Sequence, residues 1–169
     1  MRPQRFEDTL KALLQQSGGQ VKKVAPARDA GWDRNPFGLA VTYQTGARVL
    51  LQIIATSADG EKYDQPEGAP AEGETALAPV PVPDVFDSGK VQLGLVDQHL
   101  AALLVNSGSR ELARVEAYSS EPEAHNAIKY GVRATYHDGS RINVYVVHAL
   151  PAGRSDWPRG GEFSVPFAV

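Results

Sequence analysis

Leu10-Lys-Ala-Leu-Leu-Gln-Gln-Ser-Gly18 recurs as Leu100-Ala-Ala-Leu-Leu-Val-Asn-Ser-Gly108, identical at six of nine positions. A second block follows each copy in the same order. Phe37-Gly-Leu-Ala-Val-Thr-Tyr-Gln-Thr-Gly-Ala-Arg-Val-Leu-Leu-Gln-Ile-Ile-Ala55 aligns with residues 130–148, identical at five of nineteen positions: Gly38/Gly131, Thr42/Thr135, Tyr43/Tyr136, Gly46/Gly139 and Arg48/Arg141. About one match is expected by chance at average residue usage. Most of the differences are conservative, as in Phe37/Tyr130, Leu39/Val132 and Leu51/Val144. Two blocks recurring in one order predict an internal duplication.

Each copy opens with a helix. Phe6, Leu10, Leu13 and Leu14 form one apolar stripe at helical period, and Val96, Leu100, Leu103 and Leu104 repeat its spacing. Gly18 and Gly108 supply the residue that best closes a helix in the left-handed conformation. A strand is predicted next, over 20–25 and over 111–118. A hairpin then turns at Thr45-Gly46 and at Asp138-Gly139, between strands that alternate apolar and polar residues. The unit is therefore α-β-β-β, spanning 1–57 in the first copy and 94–150 in the second. Ser120-Glu-Pro-Glu123 carries a helix-start pattern, which predicts a short extra helix over 121–127.

A unit of about fifty residues buries little core alone, so the two copies are expected to share one. The fold class is α+β, with antiparallel sheet and both helices on one face in a pseudo-twofold arrangement. One continuous six-stranded sheet and two sheets packed around the pseudo-twofold both satisfy this. Alternation turns Leu39, Val41, Tyr43, Val49, Leu51 and Ile53 toward the helices, with Val132, Ala134, Tyr136, Ile142, Val144 and Val146. The opposite face carries Thr42, Gln44, Arg48 and Gln52, then Arg133, Thr135, His137, Arg141, Asn143 and Tyr145. Leu50 and Ile54 also fall there, so that face is either a binding surface or buried against something else.

Charge is unevenly spread. Residues 1–57 carry eight Lys/Arg against four Asp/Glu, whereas 58–93 carry two against eight. The latter stretch holds five prolines, including Pro79-Val-Pro-Val-Pro83, and is read as a linker or surface loop without helix. It is expected to fold over the basic first copy as a salt-sensitive cover. The tail, 151–169, ends in an apolar run that adds an edge strand, covers exposed core or reaches into a neighbouring subunit. The last of these would make a homodimer. No stretch approaches the ~20 apolar residues of a membrane span, and no membrane partner is expected. There is no cysteine, so thiolate chemistry and disulfides are excluded. A cytoplasmic protein is the simplest reading.

Candidate site residues come from the open face and the loops. Arg48 and Arg141 recur just after the hairpin turns, as a pair of anion-binding groups or as cross-strand partners that steady the hairpin. Arg133, His137, Arg141 and Tyr145 form the best local polar cluster. Trp32 and Trp157, in Gly31-Trp-Asp-Arg-Asn-Pro36 and Ser155-Asp-Trp-Pro-Arg-Gly160, are either partner contacts or covers for an open end of the core. The histidines His99, His125, His137 and His148 show no metal-ligand spacing, and no phosphate loop, nucleophile elbow or zinc-protease motif is present. No cofactor and no metal are expected.

The leading reading is a non-enzymatic binding protein that holds a protein or peptide on the open sheet face or in the groove between the copies. The alternative is nucleic-acid binding through the basic first copy, with Lys22, Lys23, Arg28, Arg34 and Arg48, against which the weakly acidic second copy counts. A small enzyme of unrecognised type is the third. A helix followed by three strands is similar, in the order of elements alone, to double-stranded-RNA-binding domains and secretion-chaperone-like proteins. No residue motif carries a function across from either.

Overall fold

A computed structural model describes residues 1–121 and 128–169. The helix expected over 121–127, and His125 with it, lies outside the described residues apart from Glu121. Helix α1 spans Pro3–Gln16. Proline suits its first position, where the N–H has no intrahelical partner and φ is already helical. It ends where the Ser17 hydroxyl donates to the Leu14 carbonyl (2.8 Å) and Gly18 takes φ +84°. Helix α2, Leu93–Val105, closes in the same way, through Ser107 on Leu104 (2.7 Å) and Gly108 at φ +72°.

Strands β1 (Val21–Pro26), β2 (Gly38–Tyr43) and β3 (Arg48–Thr56) follow α1. A short hairpin of β4 (Phe86–Asp87) and β5 (Lys90–Val91) leads into α2. The strands β6 (Leu112–Ala117), β7 (Gly131–Tyr136) and β8 (Arg141–Leu150) come after it. Six of these form one antiparallel sheet in the order β1-β2-β3-β8-β7-β6. Of the two arrangements open from sequence, the single sheet is the one formed. Both helices pack on one side of it: Phe6, Leu10, Leu14, Leu100 and Leu104 share a core cluster with every hairpin residue that alternation turned inward. No helix among the described residues is long and apolar enough to cross a membrane.

The two edge strands are blunted in matching ways. Register slips between Val21 and Lys23 on β1 and between Leu112 and Arg114 on β6, and each bulge twists its edge away from further pairing. Exposed Lys22 and Lys23 on β1, and the Arg114–Glu116 ion pair (3.0 Å) on β6, add charge there.

The opposite sheet face is not open throughout. Register shifts between Leu50 and Leu51 where β3 meets β8, which turns Val147 to this side. Leu50, Val147, Ala40, Ala27 and Trp32 form a second, smaller cluster, with Trp157 and Phe163 of the tail packed on it. Between β3 and β4, residues 58–85 contain no helix or strand and lie against the rest of the chain. Glu61 binds Arg2 (2.8 Å), Glu67 binds Arg5 (2.7 Å), and Glu72 reaches Arg110 (3.4 Å). Val85 is fully buried.

Candidate functional site

The back face of the sheet holds the residues singled out from sequence, in three separate places. Arg48 stacks over Trp157 (4.5 Å to the ring centroid) and donates to the Ser155 carbonyl. Trp157 in turn donates Nε1–H to the Ala30 carbonyl (3.0 Å). Trp32 is buried, with His148 edge-on at 5.1 Å and Arg34 over its ring at 4.9 Å. Arg34 pairs with Glu162, so both basic residues here serve to hold the tail on the sheet.

Arg133 and Tyr145 meet in a second cluster, around Asn143. Its Oδ1 accepts from the Tyr118 hydroxyl (2.9 Å) and from Arg133 Nε (3.2 Å). The Tyr145 ring lies 6.0 Å from both Tyr118 and Phe163. Burial, then the nearby Tyr145, pushes the Tyr118 hydroxyl up to about 12, so it stays protonated. The third place is the β7–β8 turn. Exposed His137 lies over Gly73, where an added Cβ would meet its Nε2 at 2.5 Å, and Arg141 is exposed. No hydrogen bond or ion pair joins Arg141 to His137 among the described residues.

Arg48 and Arg141 do not converge on one anion. Arg48 is opposite Leu150 and Arg141 opposite Thr56, at the two ends of the β3–β8 pair. Eight residues of strand separate those ends, roughly 26 Å.

A site that none of these residues touches lies on the helix side. A cleft of about 710 Å³ opens beside the first turns of α2, between Tyr130, Ile128 and Phe167 of the tail. Leu95 supplies its apolar wall from the helix, with Gln92, Gln98, Ser119 and Lys129 among the polar lining. That volume falls within the range of ligand pockets, as does a mostly apolar lining with a few polar groups. Phe167 is 71% exposed, the most exposed of the large apolar side chains among the described residues.

The helix explains the cleft. Leu93-Gly-Leu-Val-Asp-Gln-His-Leu-Ala-Ala-Leu-Leu-Val105 has a single formally charged residue, Asp97, and that one is fully buried. Apolar residues run around the whole circumference, a pattern that calls for cover on more than one side. The sheet covers one side, and Leu77 and Val85 of the 58–85 segment join the same core cluster. His99 donates Nδ1–H to the Pro83 carbonyl (3.0 Å), and burial keeps its imidazole neutral. Among the described residues, the Leu95 side meets the rim of the cleft. In the alignment Leu95 matches Arg5, which instead is gripped by Glu67 and Glu111.

Beneath the cleft wall sits Asp97. Its carboxylate accepts the Ser119 hydroxyl (2.5 Å), the Ser119 N–H (2.9 Å) and the Gly131 N–H (3.2 Å). Burial pushes it up to about 6 against the pull of those donors. Glu7, 3% exposed, makes the corresponding contact from α1, accepting the Gly38 N–H at 2.6 Å. A Cβ on Gly38 would lie 2.4 Å from the Leu51 carbonyl oxygen, and on Gly131 2.5 Å from that of Val144. Close backbone approach thus accounts for both recurring glycines.

A second cleft, about 420 Å³, surrounds Met1, Arg2, Arg5 and Glu67. Most of its charges are paired with one another: the Met1 ammonium binds Asp138 (2.6 Å), and Arg2 and Arg5 hold Glu61 and Glu67. Among the described residues no group of three or more His, Asp or Glu is set to hold a metal ion. No protein-family model, curated protein or solved structure matches the chain.

Proposed function

We propose that the protein is a non-enzymatic binding protein that takes an apolar side chain of a protein or peptide partner into the cleft beside α2. The carrying observation is a mostly apolar cleft of about 710 Å³ on a helix whose only charged residue is buried. The partner's side chain would cover Leu95, Ile128 and Tyr130, while Gln98 and Ser119 would hold its backbone or polar edge. Burying one large apolar side chain there would contribute about 1.5–3 kcal/mol. A nucleic-acid role has less support. Of the first copy's arginines, Arg2, Arg5 and Arg34 are held by carboxylates and Arg48 by Trp157 and Ser155, so they are not free to gather on a phosphate.

The cleft belongs, on this reading, to the second of two duplicated α-β-β-β units related by a pseudo-twofold axis. Equivalent positions repeat their contacts: Glu7 to Gly38 and Asp97 to Gly131, Ser17 to Leu14 and Ser107 to Leu104. Gln52 pairs with Tyr145, its own counterpart in the alignment, which supports an axis through that pair. The partner site is then a divergence between the halves, Arg5 in one and Leu95 in the other.

A phage-displayed peptide library panned on the protein tests the reading. Selected peptides should share an aromatic or aliphatic residue, and should lose at least tenfold in affinity for Leu95→Glu but not for Ile54→Glu on the opposite sheet face. Peptides that bind Leu95→Glu as well as the parent chain would overturn it.

A further inference from the structure

We infer that residues 167–169 occupy a strand-accepting edge along β5, and that the partner enters the cleft as an extended segment that pairs with Val91 and Leu93 in the tail's place. This rests on the cleft reading above and adds the form in which the partner arrives.

The edge is defined by backbone groups. Val91 donates to the Val169 carbonyl (2.7 Å) and accepts from the Val169 N–H (3.0 Å), and Leu93 donates to the Phe167 carbonyl (3.0 Å). The tail thereby bridges to the chain just beyond the β4–β5 hairpin, antiparallel at Gln92 and Ala168. Backbone pairing of this kind accepts any extended segment, with specificity left to alternate side chains.

Within the tail, Val165 and Val169 pack against the main core, while Phe167 lines the cleft. It remains 71% exposed, so it marks the entry to the cleft without filling it. A segment in the same register with a better-seated side chain would gain burial that the tail forgoes.

Release of the tail is a local event. Phe163 holds φ +66°, a left-handed conformation that costs a bulky residue energy. Beside it Gly160 and Gly161 are exposed and give the chain freedom to swing. An external segment competes with the tail's high effective concentration, so the tail sets a threshold for binding.

The test uses the full chain and a synthetic peptide of residues 163–169, Phe-Ser-Val-Pro-Phe-Ala-Val, read by titration and by amide exchange. Val169→Asp, which weakens the tail's own seat, should bind the peptide at least tenfold more tightly than the parent chain. Saturating the parent chain should cut protection of its Val169 amide at least tenfold while the Val91 and Leu93 amides stay protected. N-methylation of the peptide's last residue, which removes the N–H that Val91 accepts, should weaken binding at least tenfold. Binding that Leu95→Glu weakens but N-methylation does not would overturn the strand pairing and leave the cleft standing. Binding indifferent to both changes would overturn both readings. Failure of millimolar peptide to bind Val169→Asp would overturn the strand pairing.

Discussion

Asp97 accepts the backbone N–H of Gly131 from within the core, at 3.2 Å and with no exposure to solvent. The bond ties α2 to the first residue of β7, and with the two Ser119 contacts it braces the wall on which the cleft rests. Burial raises the Asp97 carboxyl to about 6, above its value in the unfolded chain. Between about pH 4 and pH 6 the folded state therefore binds more protons, and stability falls as pH rises through that window and levels off above it. The expected loss is about 3 kcal/mol. Asp97→Asn keeps an acceptor without the titration, so its urea-unfolding free energy, compared with the parent's, should improve across that window. A difference independent of pH would contradict the assignment. Asp97→Ala strands two buried N–H groups and should cost about 2–5 kcal/mol, more at pH 4 than above pH 6.

Gly38 and Gly131 are required by space. Alanine at either would drive a Cβ to within 2.5 Å of a backbone oxygen, with no flexible side chain to yield. Each substitution should cost about 1–3 kcal/mol or more in chemical denaturation. Gly19→Ala, which meets nothing within 4 Å, should change stability by less than about 0.5 kcal/mol.

Trp32 is a cover for the back-face cluster, and its indole N–H has no partner among the described residues. Trp32→Ala should therefore cost about 3–5 kcal/mol. Trp32→Phe, which gives up no hydrogen bond, should cost less than half as much by thermal unfolding. A Trp32→Ala chain of parental stability would mean that the ring serves something outside the fold.

The 58–85 segment is clamped by Arg5, which holds Glu67 and Glu111 at 2.7 Å each. Arg5 is 37% exposed, so screening by water and salt keeps its worth to about 1 kcal/mol. Arg5→Ala should speed limited proteolysis within 58–85 severalfold, and 0.5 M salt should bring the parent chain toward the same rate. Equal rates in low salt would show that the clamp does not hold the segment.

Much of the helix-side core was legible in the sequence because it follows local periods. Every inward residue of the two hairpins is buried, and both helices end at the Ser-Gly signals. The back face was only half legible. Leu50 and Ile54 flagged it, but its cover comes from Trp32 near one end of the chain and Trp157 and Phe163 near the other, which meet on a face shaped by a register shift that alternation does not encode. Nothing local in the sequence reveals that Glu7 and Asp97 each face a glycine N–H. The cleft had one usable sign in the sequence, a single formal charge along 93–105.

Amide exchange with and without a cleft-selected peptide locates the binding surface. New protection is expected at residues 93–98 and 128–131, with residues 48–54 and 141–147 unchanged. Protection confined to the two central strands would contradict the cleft reading and return the binding surface to the back of the sheet.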